Sequence, residues 1–313
     1  MLLDKRKNYL SSSTHSIDEK YKYTNDMFEV HKYLFDYPDL IKNTPVKKIE
    51  INNEQVVFTV HNNRDILISC DRRDANSIPI SCLNFMVYDE AEEMDMILKL
   101  LKPGDVVFDI GANVGWYTIN ILLKCKGTSV YSFEPIESSY QYLKKNLTLN
   151  NLNTDKAYNI GFSDENKKVK FYFDIKFSMA SSMANLREEE DTVLVDCEVK
   201  KLDDFVSTML SLERLDFIKC DVEGAELFVF KGAIETIKKY KPIIFSEMLR
   251  KWTAKFNYHP NQIIHFLKDL GYICFIPHNG QLKEFFEMDE NTIETNFFFL
   301  HEDQHNNQLL EIP

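Results

Sequence analysis

The sequence lacks a long hydrophobic run, the apolar core of a signal peptide and paired cysteines. Its longest uncharged apolar stretch near the middle of the chain, residues 111–123, covers 13 positions and contains two asparagines, whereas a membrane-spanning helix needs about 20 mostly apolar residues. The six cysteines are scattered without a CxxC pair, which favours reduced thiols over a disulfide framework or a zinc site. We therefore expect a cytoplasmic protein without a membrane span.

Basic residues are also too few for a chain that coats nucleic acid. Acidic residues outnumber basic ones by 49 to 37, which gives a net charge of −12. Nucleic-acid-binding proteins usually concentrate Lys and Arg on one face, so we expect no nucleic acid partner. Nine glycines and nine prolines in 313 residues exclude collagen-like and low-complexity architectures, and the 44% hydrophobic content is typical of a globular chain.

The chain divides into regions with different patterns. Residues 1–103 mix helical and short strand-like segments, and we expect an N-terminal α+β extension that either covers the binding site of the next region or contacts another copy. Residues 104–301 alternate strands and helices, which predicts a mostly parallel sheet with helices on both faces. Residues 302–313 are expected to form a C-terminal tail.

Several elements of residues 104–301 can be placed from the pattern of apolar residues. We expect strands at 106–110, 129–133 and 156–162 and a helix at 224–240. A hairpin-like insertion is predicted from the alternating segments at 169–173 and 193–199. Ligands of such sheets bind beyond the carboxyl ends of the strands, so polar residues that follow strands are the candidates for a site.

The first such candidate is the turn Asp109-Ile110-Gly111-Ala112-Asn113-Val114-Gly115. Small residues let the backbone approach a ligand closely, and the N-terminus of the helix that begins at about Gly115 offers free N–H groups. A dinucleotide site would normally show G-x-G-x-x-G, but Asn113 and Trp116 stand where its second and third glycines would be. The turn therefore lacks the dinucleotide fingerprint.

The second candidate is Glu134, which ends the next strand 23 residues after Gly111. An acidic residue about 20 residues beyond a glycine turn can accept hydrogen bonds from both ribose hydroxyls of a nucleoside. The pair indicates a nucleoside ligand without a pyrophosphate cradle. S-adenosylmethionine fits this description, because a sulfonium and an amino acid arm replace the phosphates.

The third candidate is the end of the strand at 217–222, which carries Lys219, Asp221 and Glu223 with Glu226 close behind. Side chains alternate along a strand, so the first three begin on one face. Charged groups are costly to bury unless they pair or bind a ligand. An ion-pair network that orders the strand end is an equal alternative for Lys219 and Glu226, whereas a functional role is favoured for Asp221.

Together, DIGANVGWYT (109–118), SFEP (132–135), GFSD (161–164), IKCDVEGAELFVFKGA (218–233) and KPIIFSE (241–247) resemble the FkbM family of S-adenosylmethionine-dependent methyltransferases. The resemblance covers about residues 104–301. It implies a class I methyltransferase fold, which is an α/β, Rossmann-like arrangement with a seven-stranded, mostly parallel sheet. It also implies methyl transfer to a hydroxyl of a sugar, glycan or secondary metabolite, with S-adenosyl-L-homocysteine as product.

The resemblance assigns the contacts to the methyl donor. Asp109, Gly111, Asn113 and Gly115 would surround its methionine portion, and Glu134 would hold the ribose. The remaining donor contacts that it implies are Ser163 and Asp164 beside the adenine, together with Ala112, Tyr117, Thr118, Pro135 and Asp221.

The resemblance also places Asp221, Glu223 and Glu247 at the site of transfer. A sugar hydroxyl is a poor nucleophile until it loses its proton, so we expect Asp221 or Glu247 to take that proton and Glu223 or Lys219 to hold the acceptor. Such carboxylates suit Mg²⁺, but no ligand spacing in the sequence demands a divalent metal, which is therefore not favoured.

Two other functions remain open at this point. An NAD-dependent oxidoreductase would use the same kind of sheet but is disfavoured by Asn113 and Trp116. A non-catalytic nucleoside-binding module is disfavoured by the intact acidic set of Asp221, Glu223 and Glu247. The sequence identifies neither the acceptor nor the oligomeric state.

Overall fold

The computed structural model of the chain describes residues 2–86, 91–174, 176–178, 181–186 and 192–305. Most of the expected C-terminal tail lies outside these residues. Across the described part of the chain, no helix combines the length and the apolar character that a membrane crossing requires. The six cysteines are all free thiols, as expected.

A mixed sheet of eight strands forms the centre of the fold. In spatial order its strands are β13 (Gln281–Glu284), β12 (Tyr272–His278), β14 (Asn296–His301), β11 (Ile243–Glu247), β10 (Phe217–Cys220), β4 (Val106–Ile110), β5 (Ser129–Phe133) and β6 (Ala157–Tyr158). The pairs from β11 to β6 are parallel, whereas β14 runs antiparallel to both of its neighbours. This order confirms the class I methyltransferase fold.

The central sheet has eight strands, one more than the seven that were expected. The additional strand, β13, pairs antiparallel with β12 at the edge of the sheet. The two are joined at Asn279 and Gly280, whose φ angles of 54° and 75° suit the tight turns that connect right-twisted hairpin strands. An Asn-Gly pair between apolar segments is the sequence signal that predicts such a hairpin.

Helices cover both faces of the sheet, because neighbouring residues of the central strands are buried in opposite directions. Val107 belongs to one hydrophobic cluster and Phe108 to the other, and both are fully buried. The helices of this part are α5 (Ala91–Leu100), α6 (Trp116–Lys124), α7 (Glu137–Leu149), α8 (Leu202–Met209), α9 (Glu226–Lys231), α10 (Ile234–Tyr240), α11 (Arg250–Thr253) and α12 (Asn261–Lys268).

The prediction of a single helix at 224–240 is wrong, because α9 and α10 are separate helices. Gly232 stands between them, where a Cβ atom would lie 2.1 Å from the carbonyl oxygen of Ser163. The close approach of these two backbone segments interrupts the helix.

The strand expected at 156–162 is also divided. Its first part is β6 of the central sheet, and its second part, β7 (Gly161–Phe162), joins β9 (Thr192–Lys200) and β8 (Lys167–Asp174) in a separate sheet. The side chain of Asn159 donates to the carbonyl oxygens of Glu134 and Pro135, which ties the bend to the end of β5. The predicted hairpin is confirmed by the antiparallel pairing of β8 with β9.

The N-terminal extension contains both helices and strands, as expected. Its elements are α1 (Leu2–Leu10), α2 (Ile17–His31), a 3₁₀ turn (Lys32–Phe35), α3 (Tyr37–Ile41), β1 (Val46–Ile51), β2 (Val56–His61), β3 (Asp65–Ile68) and α4 (Ile78–Phe85). The helices α1 to α3 bury none of their residues. The three strands form an antiparallel sheet whose apolar residues, such as Ile66 and Ile68, join the same hydrophobic cluster as Val107.

Asn146 of α7 and Asn150, which caps the end of that helix, attach this small sheet to the rest of the fold. Asn146 accepts from the amide of Ser69 at 2.8 Å and donates to its carbonyl oxygen at 3.1 Å. Asn150 does the same for Leu67, at 2.9 and 2.6 Å. Because the side-chain amides satisfy backbone groups of β3 and of the residue after it, as a neighbouring strand would, they hold the extension beside the central sheet.

Candidate active site

The turn after β4 lies against the end of β10. Gly111, Asn113 and Gly115 have φ angles of 77°, 45° and 92°. A Cβ atom on Gly111 would lie 1.8 Å from the carbonyl oxygen of Asp221, so only glycine allows the two strand ends to approach this closely. The polar residues that follow the two strands are thereby brought to one edge of the sheet.

Glu134 holds the same turn from the other side. Its Oε2 accepts from the amide of Asn113 at 2.9 Å, and its Oε1 accepts from the amide of Ile136 at 2.8 Å. The side chain is buried, and this burial raises the pKa of Glu134 to about 7. The turn and the acid are therefore in direct contact. Each carboxylate oxygen retains a second lone pair for a ligand hydroxyl.

Asp109 and Thr118 lie beneath the turn. Thr118 Oγ1 donates to Asp109 Oδ2 at 2.5 Å and lies 2.7 Å from Ser132 Oγ. Both residues are buried, and neither lines the cleft above them. The structure thus places these two predicted donor contacts where they support the turn.

Lys219 connects the turn to the end of β10. Its Nζ donates to the carbonyl oxygen of Gly111 at 2.9 Å and lies 3.2 Å from Asp221 Oδ2. The same atom lies 5.1 Å from the centre of the Tyr117 ring. Because Lys219 is 2% exposed, its ammonium organises the site rather than projecting into it.

Three predicted carboxylates meet where β10 and β11 end. Asp221, Glu223 and Glu247 each offer an oxygen, and these oxygens lie within 4.8 Å of one another. Such a set has the ligand chemistry for a divalent cation, and also for the hydroxyl groups of an acceptor. Asp221 Oδ1 is buried without a hydrogen-bond partner among the described residues, so it is the carboxylate atom most in need of a ligand donor.

Glu226 stabilises the loop that carries Glu223. It accepts from the amides of Val222 and Gly224 at 3.1 and 3.0 Å. Tyr258 lies on its other side, with its hydroxyl 2.7 Å from the carbonyl oxygen of Gly224 and 3.3 Å from Glu226 Oε2. Burial raises the pKa of Glu226 to about 7. For Glu226 the structure shows, in place of the ion-pair alternative, hydrogen bonds to backbone amides and a tyrosine that the sequence motifs do not include.

One cleft collects most of the predicted site residues. Those that line it are Gly111, Ala112, Asn113, Tyr117, Glu134, Pro135, Lys219, Asp221, Glu223 and Glu247. Those that do not are Asp109, Gly115, Thr118, Ser163 and Asp164. Gly115 instead packs against α7, where a Cβ atom would lie 2.6 Å from Leu143 Cδ1.

The cleft also contains residues that the motifs did not predict. The extension contributes Asp74, Ser77 and Ile78, and the β8–β9 insertion contributes Phe171, Ser178, Ser181 and Met183. No motif marks these residues individually. The extension was expected either to cover the site or to contact another copy, and long-range packing brings three of its residues to the cleft.

The residues present fit a donor with an adenosyl group and an amino acid arm. Asn113 Oδ1 and Asp221 Oδ1 are buried acceptors without hydrogen-bond partners in the described part of the chain, and both residues line the cleft. An ammonium or hydroxyl group would satisfy such atoms, whose burial is otherwise costly. Glu134 lies across the turn with lone pairs available to ribose hydroxyls.

Comparison with known proteins decides the family. A family model described as the methyltransferase FkbM domain matches residues 109–274, more than half of the chain. The chain belongs to the FkbM methyltransferase family. This family assignment sets the oxidoreductase alternative aside.

Curated relatives and a solved structure match parts of the chain. Methyltransferase 1 of Beauveria bassiana is 28% identical over 144 residues, which cover 40% of this chain and 57% of that protein. The 2-O-methyltransferase NoeI of Sinorhizobium fredii is 28% identical over 165 residues, or 48% and 66% of the two chains. A crystal structure of methyltransferase FkbM from Methylobacillus flagellatus has a TM-score of 0.40 and 19% identity, over 73% of this chain and 56% of that one. The chain spans less than two thirds of these relatives.

Proposed function

We propose that the enzyme transfers a methyl group from S-adenosylmethionine to a hydroxyl oxygen of a sugar, glycan or secondary metabolite. The observation that carries this proposal is the position of three carboxylates directly beside the donor turn. Carboxylates can accept the proton of a hydroxyl group as its oxygen attacks. The 2-O-methyltransferase among the relatives supports an oxygen acceptor.

The donor is held by the turn and by Glu134. When bound, S-adenosylmethionine supplies an electrophilic methyl carbon attached to a sulfonium. Glu134 accepts hydrogen bonds from the ribose hydroxyls, and Asn113 Oδ1 accepts from the amino acid arm. Pro135, Ile136 and Phe162 also line the cleft and offer apolar surface to the adenine. Fixing the donor in this way supplies much of the rate through alignment.

Asp221 serves as the general base. Asp221 lines the cleft, and its Oδ1 has no hydrogen-bond partner among the described residues, while its Oδ2 is paired with Lys219 at 3.2 Å. The lysine therefore fixes the orientation of the carboxylate and leaves one oxygen available for the acceptor proton. Glu223 and Glu247 accept hydrogen bonds from neighbouring hydroxyls of the acceptor. Glu247 is the alternative base, because its carboxylate belongs to the same cluster.

The first part of the test is calorimetric titration with S-adenosylhomocysteine. The proposal expects S-adenosylhomocysteine to bind both the wild type and Asp221→Asn. Radiolabelled S-adenosylmethionine is then supplied with a panel of hydroxylated sugars and metabolites. Asp221→Asn is expected to lower kcat by about 10²–10⁴-fold, the usual contribution of a general base.

Matched variants separate the base from other carboxylates. Glu247→Gln is expected to raise the KM for the acceptor and to lower kcat less than Asp221→Asn does. Glu235→Gln, on an exposed carboxylate of α10, is the control and should leave both constants unchanged. A larger kcat loss for Glu247→Gln would assign the base to Glu247, and methylation of nitrogen or carbon alone would contradict an oxygen acceptor.

A further inference from the structure

One segment of the insertion lies between the N-terminal extension and the carboxylate cluster. We call this segment the strap; its described residues, located between β8 and β9, are 176–178 and 181–186. Ser178, Ser181 and Met183 of the strap line the cleft. The bonds that hold the strap on its two sides therefore determine the shape of that part of the cleft.

The extension holds one side of the strap through the loop before α4. Ser178 Oγ donates to Asp74 Oδ2 at 2.6 Å, and the amide of Ala75 donates to the carbonyl oxygen of Lys176 at 2.9 Å. The amide of Asn76 donates to Asp74 Oδ1 at 3.1 Å, which fixes the carboxylate. Asp74 is 5% exposed, so water competes little for these bonds.

The carboxylate cluster holds the other side of the strap. Ser182 is fully buried, and its Oγ donates to the carbonyl oxygen of Glu223 at 2.8 Å. Its backbone exchanges hydrogen bonds of 2.8 and 3.2 Å with Tyr172 of β8. Glu223 has a left-handed φ of 55°, so the position of its side chain depends on this loop. The strap thus connects Asp74 to a residue that faces the acceptor.

Asp74 also changes the charge of the cleft. The described residues that line the cleft include five carboxylates and one cationic side chain: Asp74, Glu134, Asp221, Glu223, Glu247 and Lys219. The lysine is already bonded to Gly111 and Asp221. A cleft with this excess of negative charge attracts hydroxyl donors and ammonium groups and repels phosphate or carboxylate groups.

We propose that Asp74 of the N-terminal extension is a positioning and specificity-determining residue for the acceptor. It holds Ser178 of the strap in place, and it adds a carboxylate that selects neutral or cationic hydroxyl-bearing acceptors over anionic ones. The extension is therefore part of the acceptor site. This inference rests on the proposed methyl transfer to a hydroxyl, but its structural part is tested independently of turnover.

The structural part is tested by hydrogen–deuterium exchange of the full-length protein. Ser178→Ala removes the donor of the strap bond, whereas Ser178→Thr retains a hydroxyl. Exchange of the amides of residues 176–178 is expected to rise about tenfold in Ser178→Ala, because a hydrogen bond to a charged group is lost, and to stay near the wild-type rate in Ser178→Thr. Asp71→Asn is the matched control, since Asp71 is in the same loop, bonds Arg73 and does not line the cleft. Unchanged exchange in Ser178→Ala, or the same rise in Asp71→Asn, would overturn the positioning role.

The specificity part is tested by methylation kinetics. Ser178→Ala is expected to raise the KM of the best hydroxyl acceptor about tenfold, with kcat and the affinity for S-adenosylhomocysteine within about twofold. Glucosamine and glucose 6-phosphate serve as charged probes. The wild type should methylate the phosphate ester at less than about a tenth of the glucosamine rate, and Asp74→Asn should narrow this difference. A preference for the phosphate ester, or no methylation of any hydroxyl compound, counts against the role of Asp74 in acceptor specificity. The bond between Ser178 and Asp74 is still decided by the hydrogen–deuterium exchange result.

Discussion

Replacing Gly111 by alanine tests the close approach that forms the site. The new Cβ would lie 1.8 Å from the carbonyl oxygen of Asp221, at a φ of 77°. An alanine in a left-handed conformation costs about 1–2 kcal/mol, and overpacking in a close-packed region adds about 1–3 kcal/mol. We therefore expect Gly111→Ala to lower the free energy of unfolding by about 2–5 kcal/mol. Moving β4 away from β10 should also abolish binding of S-adenosylhomocysteine.

Gly104→Ala is the matched control for this experiment. Gly104 has a similar φ of 88°, but nothing lies within 4 Å of the Cβ that alanine would add. The free energy of unfolding of Gly104→Ala should therefore fall only by the backbone strain, about 1–2 kcal/mol, and its affinity for S-adenosylhomocysteine should not change. Urea denaturation measures the free energy of unfolding, and calorimetry measures the affinity. Equal destabilisation of the two variants, or normal binding by Gly111→Ala, would show that the site does not depend on the close approach at Gly111.

Three further predictions concern the acid of the turn, the loop of the carboxylate cluster and the extension. Because burial raises the pKa of Glu134 to about 7, its carboxyl is protonated below that pH, and ribose hydroxyls donate better to the ionised form. Calorimetry should therefore show that the affinity of the wild type for S-adenosylhomocysteine rises about tenfold from pH 6 to pH 8. The affinity of Glu134→Gln should not change with pH. A wild-type affinity that is independent of pH would contradict this prediction. Glu226→Ala leaves the amides of Val222 and Gly224 without their partner. Urea denaturation should show a free energy of unfolding lower by about 2–4 kcal/mol. A decrease below about 0.5 kcal/mol would contradict the role of Glu226 in the loop. Asn146→Ala should cost about 1–3 kcal/mol in the same assay, because it unpairs both backbone groups of Ser69, and an unchanged midpoint would show that the extension is held by other contacts.

Local patterns predicted the parts of the site that lie close together in the sequence. The turn at Gly111 and the acid at Glu134 follow consecutive strands, so parallel pairing of β4 with β5 brings them to one edge. The same reasoning placed Asp221 at the end of β10, beside β4. Glu247 was assigned by the family resemblance, and the parallel pairing of β10 with β11 brings it to the same edge.

The direction of individual side chains could not be predicted in this way. Asp109 and Thr118 belong to a recognised motif, yet they bond each other beneath the turn. Glu223 or Lys219 was expected to hold the acceptor, with an ion-pair network as an equal alternative for Lys219, and the ammonium of Lys219 contacts Gly111 and Asp221. A motif identifies the residues of a site, whereas burial decides which of them reach the cleft.

Long-range contacts of the extension were equally hidden. Asn146 contacts Ser69, 77 residues earlier in the chain, and Ser178 contacts Asp74 across 104 residues. Neither pair forms part of a periodic pattern or a recognised motif. Their contribution depends on the packing of the extension sheet against α7, which no local property of residues 1–103 specifies.

The proposed mechanism requires the turn at Gly111 and the carboxylate of Glu134 to hold the adenosyl donor. A crystal structure of the protein with S-adenosylhomocysteine would show whether they do. We expect the ribose hydroxyls within hydrogen-bond distance of Glu134 and the amino acid arm against the Gly111–Asn113 turn. A ligand bound elsewhere, with Glu134 contacting only the amides of Asn113 and Ile136, would contradict it.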